Sequence, residues 1–201
     1  LQQRFFRGKG RDLVGCRILD WTKLGSGFQF ALAEVAYADG GKEVYALPLK
    51  VSSGAEGQRI QQHLPESVLA SIRTPRQTGV LYDALVEKTA CTDLVMAIGD
   101  SRRYPTTVNG ELVARAFQDP ATAYRSPLNY ANLRHLGAEQ SNTSVVIDNQ
   151  LILKLFRQVE PGLNPDMEIA SYLTDKTDFS HFAHVVGYMV YRSSEGVEST
   201  V

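Results

Sequence analysis

Gly137-Ala138-Glu139-Gln140-Ser141-Asn142-Thr143-Ser144-Val145-Val146-Ile147-Asp148-Asn149-Gln150-Leu151-Ile152-Leu153-Lys154-Leu155-Phe156-Arg157 is the stretch on which the reading of this chain turns. A polar loop feeds a tight hairpin, because Asp148 and Asn149 both tolerate positive φ. From Leu151 to Phe156 the strand alternates, with Leu151, Leu153 and Leu155 on one face and Ile152, Lys154 and Phe156 on the other. Lys154 therefore shares a face with two apolar side chains. Its ammonium must reach water, a carboxylate or an anionic ligand, since an unpaired buried charge is prohibitive.

Further along, Asn164-Pro165-Asp166 reads as a helix start: an N-cap, a proline at the first helical position and an acid against the positive helix end. Glu168 falls in the first turns, and Ile169 with Leu173 makes an i, i+4 apolar face. In kinase-type sites a lysine on the third strand holds nucleotide phosphates and is oriented by a glutamate of the next helix. The loop Glu139 to Ser144 would then cover the phosphates with backbone N–H groups and the hydroxyls of Ser141, Thr143 and Ser144. The competing reading makes Lys154 a snorkelling edge lysine and Glu168 an ordinary exposed carboxylate. A lysine and a glutamate alone do not decide between them.

The wording of two blocks carries more. Residues Gly137 to Thr174, with Glu-Gln-Ser-Asn-Thr-Ser, Leu-Ile-Leu-Lys-Leu-Phe-Arg and Glu160-Pro161-Gly162-Leu163-Asn164-Pro165-Asp166-Met167-Glu168, resemble bacterial maltokinases, including those fused behind trehalose synthase. The opening Arg4-Phe5-Phe6-Arg7-Gly8-Lys9-Gly10-Arg11 resembles the family's Arg-Trp-Phe-Gly-Gly-Lys-Gly-Arg, with Phe5 and Arg7 departing from its tryptophan and glycine. The resemblance implies a kinase of the aminoglycoside phosphotransferase-like fold. Such an enzyme uses ATP and Mg2+ to phosphorylate maltose at the anomeric hydroxyl, and the maltose 1-phosphate feeds α-glucan (glycogen) synthesis. Carried onto this sequence, Gln140, Ser141, Asn142, Thr143 and Ser144 contact phosphates, Lys154 binds the α/β-phosphates and Glu168 orients Lys154.

Phosphoryl transfer also needs a base and magnesium ligands, which in the family lie in a helical lobe. The histidines are His63, His135, His181 and His184, and none begins a His-x-Asp catalytic loop. The expectation is an amino-terminal fragment of a larger polypeptide with no catalytic residue of its own and no metal site. It is expected to be inactive alone; a start at Leu1 fits an excised segment.

With 201 residues, 43% of them hydrophobic, the chain can bury one or two cores. A net charge of −1 and a pI near 6.5 argue against a nucleic-acid partner. No run is long enough to span a membrane and no signal peptide is evident, so a cytoplasmic setting is the default. Cys16 and Cys91 are too far apart for a metal knuckle and read as reduced, small apolar residues.

Phe28 to Ala36 and Glu43 to Val51 read as strands around Ala38-Asp39-Gly40-Gly41-Lys42. Pro65 to Ser71 is ambiguous, whereas Thr78 to Ile98 has mostly helical spacing, with a break at Cys91-Thr92. Asn109-Gly110 marks a hairpin between Thr106-Thr107-Val108 and Glu111 to Phe117. The linker is expected at Asp119 to Pro127. The fold class is α+β: a cap domain of antiparallel strands and helices over residues 1–126, then a partial kinase N-lobe over residues 127–201, an antiparallel sheet with one helix.

Three weaker motifs fail on context. Gly25-Ser26-Gly27 precedes a strand where a dinucleotide fingerprint needs a helix. Gly8-Lys9-Gly10-Arg11 lacks the rest of a phosphate loop and reads as a solvated basic turn. His181-x-x-His184 lacks a third metal ligand. Two other functions stay open: a kinase for another sugar or amino sugar, or a non-catalytic module that docks onto trehalose synthase or onto itself.

Overall fold

A computed structural model of the chain describes residues 3–25, 27–75, 77–117, 128–137, 141–177 and 181–201. It is α+β, as the sequence implies, and its strands pair antiparallel throughout the named sheets.

The first sheet is built from β1 (Leu13–Leu24), β2 (Phe28–Tyr37), β3 (Lys42–Ser53), β4 (Val68–Arg73) and β5 (Thr78–Asp83), in the order β1-β2-β3-β5-β4. The hairpin read from Ala38 to Lys42 joins β2 and β3 as expected. Helix α1 (Gly54–His63) buries Ile60 against this sheet beside Val80 and Tyr82. The ambiguous stretch at Pro65 resolves into a short 3-10 turn, Pro65–Ser67, and then β4.

Helical spacing over Thr78 to Ile98 misleads. Thr78–Asp83 is a strand paired on both sides, to β3 and to β4, and the helix α2 starts only at Lys88–Gly99. Short apolar runs do not separate strand from helix by periodicity, and two-sided pairing decided this one. Cys91-Thr92 does not break α2. The Cys91 thiol donates to the Leu85 carbonyl at 3.3 Å, the Thr92 hydroxyl donates to that of Lys88 at 2.9 Å, and burial pushes the Cys91 thiol up to about 12. Cys16 is exposed, not a small apolar core residue.

Asn109-Gly110 does lie in a hairpin turn, with Asn109 at φ 59°, but the strands it joins are β6 (Arg103–Pro105) and β7 (Glu111–Ala116): Thr106-Thr107-Val108, read as a strand, belong to the turn, where Thr106, Thr107 and Val108 donate to Asp20. A Cβ on Gly110 would lie 2.9 Å from both the Arg192 carbonyl and the Asp20 carboxylate, so only glycine lets these strands approach.

Beyond residue 128 come β8 (Leu133–Leu136), β9 (Asn142–Ile147), β10 (Leu151–Phe156), β11 (Gln158–Val159), helix α3 (Pro165–Lys176), β12 (Gly187–Arg192) and β13 (Glu198–Thr200). They divide between sheets. β10-β9-β8 forms a small sheet of its own, β11 extends the first sheet beside β3, and β13-β12-β7-β6 makes a third. The linker placed at 119–127 lies outside the described residues. Strand pairing crosses that position twice, through β7–β12 and β3–β11.

The main core joins all of this. Leu24, Phe28, Phe30 and Leu32 of the first sheet pack with Leu94 of α2, Leu112 of β7, Val145 and Ile147 of β9, Leu155 of β10 and Met189 of β12. A buried carboxylate locks the first and third sheets together. Asp20 accepts hydrogen bonds from the Trp21 N–H at 2.9 Å, the Thr107 hydroxyl and Val108 N–H at 3.0 Å, the Tyr191 hydroxyl at 2.9 Å and the Thr106 hydroxyl. Burial alone would raise its pKa, but these donors together hold it below the usual carboxylate range.

Asp20→Ala should cost about 2 to 4 kcal/mol, because buried donors lose their acceptor, and urea unfolding measures this directly. Because Asp20 titrates lower folded than unfolded, the stability it supplies is present above about pH 4 and lost as pH falls through its folded pKa. The unfolding midpoint of Asp20→Asn should therefore fall less steeply under acid than that of the wild type.

Candidate functional site

β9 and β10 meet at the Asp148-Asn149 turn, where both residues take positive φ, 51° and 54°, and with Gln150 form a three-residue loop between the paired Ile147 and Leu151. The Asp148 carboxylate fixes the turn by accepting from the Asn129 N–H at 3.0 Å and from the side-chain amides of Asn132 and Gln150. Register then places Lys154 directly across from Ser144. Val145, Ile147, Leu151, Leu153 and Leu155 pack in or against the core, which leaves Ser144, Val146, Ile152, Lys154 and Phe156 on the other face.

That face, with Leu151, Leu153 and Leu155 from the core side of β10, lines a cleft of about 910 Å³ closed by Leu94, Val95 and Ile98 of α2, Met167 and Ala170 of α3, and the segment Ala183 to Met189. Its walls are largely apolar, and the polar groups among them include Arg134, Ser144, Gln150, Lys154, Asp166 and His184. The Lys154 ammonium lies 5.3 Å from the Phe156 ring and pairs with the Asp166 carboxylate at 2.9 Å.

Asp166 reaches Lys154 because the start of α3 is fixed on three sides. The Asn164 side chain caps the helix by accepting from the Asp166 N–H at 3.0 Å, and the Asn164 N–H donates to the Thr200 hydroxyl at 3.0 Å. Gly162 bridges to β13 through its own N–H and carbonyl. The helix turns Met167 inward, whereas Ile169, expected on its apolar face, is 61% exposed.

Of the residues read from the sequence, Gln140 lies outside the described residues. Ser144 and Lys154 come together in the cleft. Thr143 lies on the opposite face of β9, and its hydroxyl accepts a hydrogen bond from the Arg157 Nε at 2.8 Å. Ser141 and Asn142 are half-buried outside the cleft lining. Glu168 is exposed and forms no ion pair among the described residues, so the structure gives Lys154 to Asp166, two residues earlier. The basic turn near Gly8 is not free to bind an anion through Arg11, which pairs with Asp39 and Glu43 and lies 3.7 Å over the Tyr37 ring. Sequence reasoning passed over Arg157 and Asp83; an arginine ending an apolar strand was the available signal.

One polar atom is out of balance. The Ser144 hydroxyl is buried, on a residue only 1% exposed, and has no hydrogen-bond partner among the described residues. An unmade hydrogen bond of this kind costs about 1 to 3 kcal/mol. Ser144→Ala should accordingly leave the unliganded chain as stable as wild type or up to about 1 kcal/mol more stable. A clear loss in a urea titration would mean that the hydroxyl is satisfied in solution.

Residues 1–86 match the family model for the maltokinase N-terminal cap domain. The matched segment runs from the amino-terminal Arg4 to Arg11 block through β5 and the turn that follows it; it includes Asp83 and stops before the cleft strands. The first part of this chain is therefore similar to the cap that opens maltokinases.

Proposed function

We propose that this chain supplies the cap and the phosphate-gripping lobe of an ATP-dependent maltokinase, which forms maltose 1-phosphate from maltose. The observation that carries this reading is the placement of an orphaned, buried Ser144 hydroxyl directly across the strand pair from Lys154 in one cleft. The cap match over residues 1–86 supports the family side of it.

The donor set fits a nucleotide triphosphate. A hydroxyl lacking a partner and an ammonium both donate to phosphate oxygens, and the apolar walls limit competition from water. Lys154 would hold the α/β-phosphates and Ser144 a phosphate oxygen. ATP with Mg2+ supplies the transferable phosphoryl group and neutralises its charge. Asp166 holds the Lys154 ammonium at 2.9 Å, and Glu168, the carboxylate that the resemblance assigns to Lys154, follows two residues later in the first turn of the same helix. Maltose is the acceptor of this reading, with trehalose synthase as partner and the cytoplasm as its setting.

Calorimetry with Mg·ATP tests the site. The chain should bind weakly, with a dissociation constant of roughly millimolar or poorer, equivalent to about 4 kcal/mol or less. Lys154→Ala should weaken binding at least about tenfold with the fold retained, and Lys154→Arg should restore little, since a planar fork does not replace a compact ammonium. Wild-type affinity in Lys154→Ala would sink the assignment. A coupled assay should find no maltose-dependent ATP consumption by these 201 residues alone, because no His-x-Asp catalytic loop is among them. Turnover by the purified chain would contradict that reading of the catalytic residues.

A further inference from the structure

Arg157 follows β10 by one residue and is the largest fully buried side chain among the described residues, 1% exposed. A residue needed only to fill space there would be apolar, because burying a guanidinium carries a desolvation cost of several kcal/mol that packing alone does not offset. Arg157 instead has a partner at each of its three side-chain nitrogens. One terminal nitrogen pairs with the Asp83 carboxylate of β5, the other reaches the Ala46 carbonyl of β3 at 3.5 Å, and Nε donates to the Thr143 hydroxyl of β9 at 2.8 Å. The Phe5 ring lies 4.4 Å from its central carbon. Its backbone carbonyl accepts from the Ala46 N–H at 2.8 Å, and its own N–H donates to the Ser141 carbonyl.

The surrounding contacts run the same way. Arg4 donates to the Gly137 carbonyl at 3.0 Å, Arg7 donates to the Gln158 side chain at 3.2 Å, and the Arg7 N–H donates to the Tyr45 hydroxyl. The opening block and the β9–β10 block, far apart in sequence, thus meet around one side chain. Thr143 and Ser144 are adjacent and face opposite ways on β9, so Arg157 grips the strand from the cap side while the cleft uses its other side.

We propose that Arg157 is a positioning residue that couples the cap sheet to the strand pair carrying Ser144 and Lys154, so that the cap sets the geometry offered to the ligand. The coupling rests on the nucleotide reading for its consequence but not for its existence. Asp83 anchors the fork from β5, its other oxygen accepting from the Leu85 N–H at 3.0 Å. Thr143 passes the constraint to β9.

Amide hydrogen exchange on the full chain separates this from a merely structural role. Thr143→Val removes one acceptor and leaves the ion pair intact; Arg157→Lys keeps the charge and loses the fork. Both should speed exchange of Ser144 to Val146 and of Lys154 to Phe156 by about tenfold or more, with Ala31 to Val35 of β2 unchanged. Thr143→Ser, which retains the acceptor, should behave as wild type. Mg·ATP affinity should fall about threefold or more in Thr143→Val and return in Thr143→Ser. Unchanged exchange, or equal acceleration across β2, β9 and β10, would overturn the coupling, and Thr143→Val decides the matter even if Arg157→Lys fails to fold. If the wild-type chain binds no Mg·ATP at all, the nucleotide reading fails by itself, and the exchange pattern still decides the coupling.

Discussion

A guanidinium held out of water must be paired with a carboxylate and hydrogen-bonded, and each nitrogen of Arg157 finds its partner only when β3, β5 and β9 stand where they do. Burial pulls its pKa below the usual arginine value, and the Asp83 carboxylate offsets part of that. The pair is therefore a condition on the fold rather than an ornament of it. Sliding β9 by one residue would exchange its faces, leave Arg157 without Thr143 and turn Ser144 into the core.

Two other polar hubs secure the frame on which that pair acts. Asp20 ties β1 to the β6–β7 turn and to β12, which locks the first sheet to the third. Glu43 accepts from the hydroxyls of Tyr37 and Tyr45, both at 2.6 Å, and pairs with Arg11 at 3.1 Å. This holds the opening block across the sheet, where Phe5 and Phe6 pack on Tyr37 and Tyr45. Gly8 belongs to that arrangement, since a Cβ there would sit 2.3 Å from the Tyr37 hydroxyl. The amino-terminal motif is thus an anchor that brings Phe5 to Arg157.

Local chemistry was legible in the sequence and long-range pairing was not. Asp148-Asn149, Asn109-Gly110 and Asn164-Pro165 each fix a turn or a helix start through their own backbone preferences, and each is found where expected. The alternation of β10 correctly put Lys154 with Ile152 and Phe156, opposite the three leucines that pack in or against the core. What failed depends on partners distant in sequence. Thr78 to Asp83 is a strand because β3 and β4 flank it, and β12 joins β7 instead of the small sheet because Met189 and Val190 are buried there. The partner of Lys154 is set by how β13 holds the start of α3, and nothing local to Glu168 or Asp166 specifies that. Thr143 and Ser144 looked equivalent as loop hydroxyls until strand pairing gave them opposite faces.

If the cleft face of β9 and β10 receives phosphate oxygens, as proposed, ligand contact should register first on the residues that line it. Titrating the 15N-labelled chain with a non-hydrolysable Mg·ATP analogue, and following backbone amide shifts, tests this most directly. Saturable shifts centred on Ser144, Lys154 and the start of α3, spreading to Arg157, are the predicted result. Shifts centred elsewhere, or none at ligand concentrations well above about a millimolar dissociation constant, would contradict it.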